Sequence, residues 1–172
     1  MIALIPQEAY VFAGTVRDNV GLFAQTAMDA ELWAAVTAVG AEPLVTRLGG
    51  LDSEIGHGTL SAGEAQLIAL ARVYASDAGV VILDEATSHL DPPAEARAER
   101  AFAERGGILV VIAHRLTSAL RADRVLVMDG KETALGTHLQ LMDRSTRYAQ
   151  LMHAWAPRLP QPSAQFFQRA PE

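Results

Sequence analysis

Three features of the chain predict an α/β fold with a mainly parallel sheet. Two short apolar runs, Val80 to Leu83 and Ile108 to Ala113, are rich in β-branched residues and stop at polar ones, Asp84-Glu85 and His114. Runs of that length and composition suit strands buried on both faces of a parallel sheet. Helix-patterned stretches alternate with them, and that alternation is the mark of an α/β domain. Ligands of such sheets bind at the carboxyl ends of the strands, so the acidic pair stands where chemistry is expected.

Composition narrows the classes. The chain has 172 residues, half of them hydrophobic, enough for one domain with a sizeable core. A formal net charge of −6 argues against nucleic acid as a partner, since such proteins present a basic face. There is no cysteine, which excludes disulfides and thiolate metal sites and fits the cytosol. No apolar run approaches the roughly 18 residues needed to span a bilayer. No basic residue precedes Arg17, so no signal peptide is visible.

Taken in order, MIALIP reads as the end of a strand stopped by Pro6, with Gln7 directly after it. Thr15 to Val20 is predicted as a helical turn capped by Thr15, with Asp18 three residues on. Asp29 to Val39 reads as a helix with early acids and Gly40 just past its end. Ala41 to Leu48 is a second short helix broken by Gly49-Gly50, and the polar stretch from Asp52 to Thr59 is a loop. Ser61 and Glu64 have the S-x-x-E spacing of a capping box. They open a helix to about Ser76, with Leu67, Ile68, Leu70, Ala71 and Tyr74 as its apolar stripe. After the strand at Val80, Asp91 caps a helix with Pro92-Pro93 in its first turn, ended by Gly106-Gly107. Beyond the second strand come a short helix (Arg115 to Ala122) and a hairpin turned at Asp129-Gly130. Two helices (Thr137 to Arg144, Ser145 to Trp155) follow, then a Pro-rich tail, 156–172, with no assigned structure.

Four stretches carry a resemblance: Gln7, LSAGE (Leu60 to Glu64), VVILDEATSHLD (Val80 to Asp91) and IAHR (Ile112 to Arg115). In that order and spacing they resemble the Q-loop, signature motif, Walker B with D-loop, and H-loop of an ATP-binding cassette (ABC) ATPase domain. The wording is closest to exporter-type cassettes. The resemblance covers residues 1 to about 155. It implies a partial P-loop NTPase fold, with a helical signature-motif subdomain over about 15–76 and core strands over about 79–135.

What the resemblance implies for each residue has a physical basis. Asp84 would hold Mg²⁺, an ion that keeps several waters and takes few carboxylates, with Gln7 as a second ligand of metal or water that also senses the transport domain. Glu85 would polarise the attacking water as general base. His114 would position water and charge on the γ-phosphate side. Ser61 and Gly63 would present a helix start to the ATP of the opposite subunit, where amides and the positive dipole end favour phosphate. Asp91 would communicate across the dimer while also capping its helix. Against the commoner LSGGQ wording, Ala62 replaces a glycine and Glu64 a glutamine. Alanine restricts the backbone there if a positive φ is needed.

The motif G-x-x-x-x-G-K-S/T, which cradles phosphates and supplies the lysine, occurs nowhere in these residues. The resemblance therefore implies the C-terminal portion of a cassette whose intact form uses ATP and Mg²⁺ to drive export. Its partners would be a transmembrane domain and a second cassette, identical or different, and the chain would lie at the inner face of the cell membrane through the former. The chain alone is expected to be inactive, and its strands to be short of covering neighbours. A non-catalytic module that pairs with a complete cassette is the alternative reading.

Overall fold

The computed structural model describes residues 1–56, 58–112, 115–130 and 132–155, so the sequence-predicted role of His114 and the tail lie outside the described residues. The chain divides into two compact units, Met1–His114 and Arg115–Glu172.

The first unit runs β1 (Ile2–Ile5), β2 (Gly14–Thr15), α1 (Val16–Val20), a 3₁₀ turn (Gly21–Phe23), α2 (Asp29–Ala38) and α3 (Glu42–Leu48). It continues through β3 (Glu54–Ile55), α4 (Ala62–Ala75), β4 (Val80–Asp84), α5 (Pro92–Arg105) and β5 (Ile108–Ile112). Three of these strands form a parallel sheet in the order β1-β4-β5, in register from Ile2-Val80-Ile108 to Ile5-Leu83-Val111. The fold is thus α/β with a parallel sheet. The short β2 and β3 pair antiparallel, Gly14 with Ile55, so the stretch read as a loop contains a two-residue strand. Two residues carry too little alternation for a strand to be read there.

The helix starts follow from their caps. Thr15 and Asp18 form a reciprocal capping box on α1, and Ser61 and Glu64 another on α4. Asp91 Oδ1 accepts from the Ala94 amide at 2.7 Å ahead of the two prolines of α5. At the other end of α4, Arg105 donates to the carbonyls of Val73, Tyr74, Ser76 and Ala78. A cation there satisfies the carbonyls that a helix end leaves unpaired and complements its dipole. The same guanidinium therefore holds the end of α4 against the approach to β4.

The core of this unit gathers Ala3 and Ile5 of β1 and Val81 and Leu83 of β4 with α1–α4 residues such as Val16, Val36, Ile68 and Leu70. The other sheet face is open, which corrects the expectation that the strands are buried on both sides and agrees with the expectation that they are short of covering neighbours. Ile2 (69% exposed), Leu4 (56%), Ile108 (62%), Val110 (42%) and Ile112 (50%) stand open, with Val80 and Ile82 half-buried between them. The register puts these seven aliphatic residues in adjacent rows on one face. A run that is apolar at every position hides which alternate set is covered. The face is on the order of the ~300–600 Å² that the largest apolar patch of a monomer occupies. Replacing Val110 by lysine on the outer strand is expected to raise solubility and to change stability by no more than about 0.5 kcal/mol, as for other surface changes. Sedimentation and urea titration check this; a loss above about 2 kcal/mol would show a covered side chain.

The second unit contains α6 (Leu116–Arg121), the antiparallel hairpin β6 (Val125–Asp129) and β7 (Glu132–Gly136), α7 (His138–Arg144) and α8 (Thr146–Trp155). Leu141, Tyr148 and Met152 form its small core, with Leu116, Val125, Val127 and Ala134 packed around them. Within it the Tyr148 hydroxyl lies 2.9 Å from His138 Nδ1.

Candidate functional site

The parallel register brings the sequence-predicted residues of the first unit to one edge of the sheet. Ile5 pairs with Leu83, so Gln7, two residues past β1, and Asp84, the last residue of β4, leave the sheet at the same end. Asp84 in turn pairs with Ile112 at the end of β5, and the Glu85 amide donates to the Ile112 carbonyl at 3.0 Å. Asp84 and Glu85 are half-buried, and Gln7 is exposed.

Glu85 has a φ of 50°, the only positive φ among the described non-glycine residues. A left-handed non-glycine residue costs on the order of 1–3 kcal/mol and persists where the surroundings fix it. Here its amide is anchored to β5, and its carbonyl accepts from the Ser88 amide at 3.0 Å. The acid is therefore turned sharply out of the strand at the sheet edge. The turn continues through Leu90, whose amide bonds the Thr87 carbonyl, to Asp91 at the cap of α5.

Ser61 and Gly63 sit at the start of α4. The Ser61 amide and hydroxyl both donate to Glu64 Oε2 at 2.8 Å, and Arg47 pairs with the other carboxylate oxygen. The charge that distinguishes Glu64 from a glutamine is thus taken up locally. Ala62 is the first residue of α4 and has no positive φ, so the restriction anticipated for it does not arise. Gly63 is needed for a close approach: a Cβ there would lie 2.9 Å from the His89 carbonyl oxygen. The start of α4 therefore packs directly on the turn that follows Glu85.

Two buried polar residues of α4 were not read from the sequence. Gln66 is fully buried and bonded to the Gln7 carbonyl and to Ser88 and His89. Arg72, 7% exposed, donates to the carbonyls of Asn19 and Tyr10 and to Asn19 Oδ1, and lies 5.0 Å from the Phe12 ring centroid. Gln66 stands four residues before Leu70 and Arg72 four after Ile68, so both flank the apolar stripe of the helix, and that was the available signal.

Among the described residues no three His, Asp or Glu side chains converge as a metal cluster. Two half-buried carboxylates and an exposed amide at one strand edge are hard oxygen donors. They fit an ion that, like Mg²⁺, draws few ligands from protein and the rest from water and phosphate.

The Glu64 carboxyl is held below its ordinary range, first by the Ser61 amide, then by the Ser61 hydroxyl, with Arg47 adding to them. A depressed folded value means that the carboxylate stabilises α4 above its unfolded value near 4.5, and that this is lost as pH falls through the folded value. Glu64→Gln keeps an acceptor for Ser61 without the charge. Its thermal midpoint is expected to fall less steeply than the wild type's between about pH 5 and 3. Parallel acid limbs in the two melts would refute this.

A family model described as "ABC transporter" matches residues 1–88. The chain is similar to the ABC transporter ATP-binding protein RamB of Streptomyces coelicolor, 56% identical over 152 residues, which are 88% of this chain and 25% of that protein. It is also similar to the probable multidrug resistance ABC transporter ATP-binding/permease protein YheH of Bacillus subtilis, 40% identical over 156 residues, 87% of this chain and 23% of that protein. Among solved structures, a bacterial Atm1-family ABC exporter with ATP bound superposes with a TM-score of 0.82 at 30% identity, over 90% of this chain and 28% of that one. The chain spans about a quarter of the length of these two curated relatives.

Proposed function

Because this chain belongs to the ABC transporter family, we propose that it is the C-terminal part, residues 1–155, of the ATP-hydrolysing domain of an exporter. The observation that carries the reading is the shared strand edge, where β1 leads to Gln7 and β4 to Asp84 and the outturned Glu85. In this reading Asp84, with Gln7, holds Mg²⁺, whose charge serves the phosphate oxygens. Glu85 accepts the proton of the attacking water, and His114 helps to position that water. Ser61 and Gly63 serve the ATP of a second cassette, and Asp91 relays between the two. Energy from hydrolysis is passed to a transmembrane partner, through which the chain meets the membrane. None of the described helices is long and apolar enough to cross one.

With no G-x-x-x-x-G-K-S/T among its residues, the chain has no cradle for the β- and γ-phosphates. Purified chain is expected to release no phosphate from Mg²⁺-ATP. The same chain fused behind a cassette N-terminal portion that carries the motif is expected to hydrolyse ATP in a Mg²⁺-dependent way. Turnover by the chain alone, or a folded fusion with none, would overturn the reading.

A further inference from the structure

We infer that Gln66 is a positioning residue that couples the backbone of Gln7 to the Ser88–His89 turn, and that it does so by fixing the tautomer of His89. Gln66 is 0% exposed, and its amide meets four partner atoms on three residues, in two segments of the chain. Its Oε1 accepts from the His89 backbone amide at 3.0 Å. Its Nε2 lies 3.1 Å from the Gln7 carbonyl oxygen, 3.2 Å from Ser88 Oγ and 3.1 Å from His89 Nδ1.

The orientation of the amide follows from its partners. A backbone N–H only donates and a backbone carbonyl only accepts. The His89 amide therefore requires Oε1, and the Gln7 carbonyl requires Nε2. One Nε2–H goes to Gln7, and the other is shared between Ser88 Oγ and His89 Nδ1. The ring nitrogen that receives it is an acceptor, so the neutral imidazole carries its proton on Nε2. Ser88 Oγ, 3.3 Å from the same Nδ1, closes the group.

Gly63 lies one turn earlier on the same helix face, against the His89 carbonyl. The first two turns of α4 thus bond the N–H of His89 and pack closely against its C=O. Two residues on, Asp91 caps α5. A shift of the Gln7 carbonyl strains a donor that His89 shares, and a buried amide with a lost partner is costly. Movement at Gln7 is in this way felt at the turn leading to Asp91. The use of such a link between Gln7 and the second cassette rests on the reading above; the link itself does not.

The test needs no nucleotide. The full chain labelled with ¹⁵N-histidine has five histidines, and His89→Asn identifies the relevant ring. At a pH where the imidazoles are neutral, His89 is expected to show an unprotonated Nδ1 and a protonated Nε2. In Gln66→Glu a carboxylate replaces the donor, and the ring is expected to switch to the Nδ1–H form. In Gln66→Leu the His89 amide is expected to exchange about tenfold faster. Gln7→Gly is expected to shift the His89 ring signals in the wild-type background and not in Gln66→Leu. A wild-type ring protonated on Nδ1 overturns the proposal without any variant. So does a Gln7→Gly shift that survives Gln66→Leu, or a tautomer unchanged in Gln66→Glu.

Discussion

Replacing Arg72 by leucine is expected to lower stability by about 2–4 kcal/mol, more than any other single change on α4 apart from its core aliphatics. The side chain is buried, and its guanidinium forks over the Asn19 carbonyl, Asn19 Oδ1 and the Tyr10 carbonyl. Asn19 Oδ1 keeps the Phe12 amide as a donor, whereas the Asn19 and Tyr10 carbonyls lose Arg72; an acceptor left unpaired costs about 1–3 kcal/mol, and such losses do not add fully. A term of opposite sign reduces the total: burial alone lowers the Arg72 pKa, so removing the charge recovers desolvation energy. The loss is smaller for Arg72→Lys, which keeps the charge but cannot span three acceptors at once. Urea titration followed by Trp33, which packs on the core of this unit, reads the result as a midpoint shift. A leucine variant within about 0.5 kcal/mol of wild type would mean that the acceptors find other donors. The expected loss has a local meaning too. Arg72 is the tie that holds α1 and the segment after Gln7 to α4, so the variant should also speed amide exchange from Tyr10 to Asn19.

What could be read from the sequence divides along physical lines. The caps were legible at Thr15, Ser61 and Asp91, because a capping residue and its partner lie three positions apart and need no tertiary context. The strands at Val80 and Ile108 were legible for the same reason: composition and flanking glycines are local. Gln66 and Arg72 were not, since their partners are 22 to 62 residues away in the chain. Only folding shows that a polar residue beside an apolar stripe has acceptors waiting. Which face of the sheet is covered was illegible on similar grounds, as Val81 and Ile82 look alike in sequence while one faces the core and the other half faces solvent. Gly63 is a mixed case. The sequence marks it as part of a helix start presented to phosphate, and the structure gives the glycine a second reason, the approach of the His89 backbone.

Glu85→Gln in an ATP-hydrolysing fusion is expected to reduce kcat by about 10²–10⁴-fold, the range lost when a positioned general base is removed. That corresponds to about 3–5 kcal/mol of transition-state stabilisation. The substitution is close to isosteric and makes the same demand on the backbone, since glutamine meets the φ of 50° no more easily than glutamate does. Stability should therefore change little, and the loss should fall on kcat with KM for ATP nearly constant, because a proton acceptor acts in the transition state rather than in ground-state binding. Glu104→Gln, at an exposed acid near the far end of α5, controls for charge alone and should match wild type. The geometry makes this a strict test. An acid that merely solvates a strand end has no reason to occupy a strained turn, and its removal would leave kcat within about threefold. An unchanged kcat would move the base to another residue. A parallel loss of kcat and melting temperature would mark Glu85 as a keeper of the turn between β4 and Asp91.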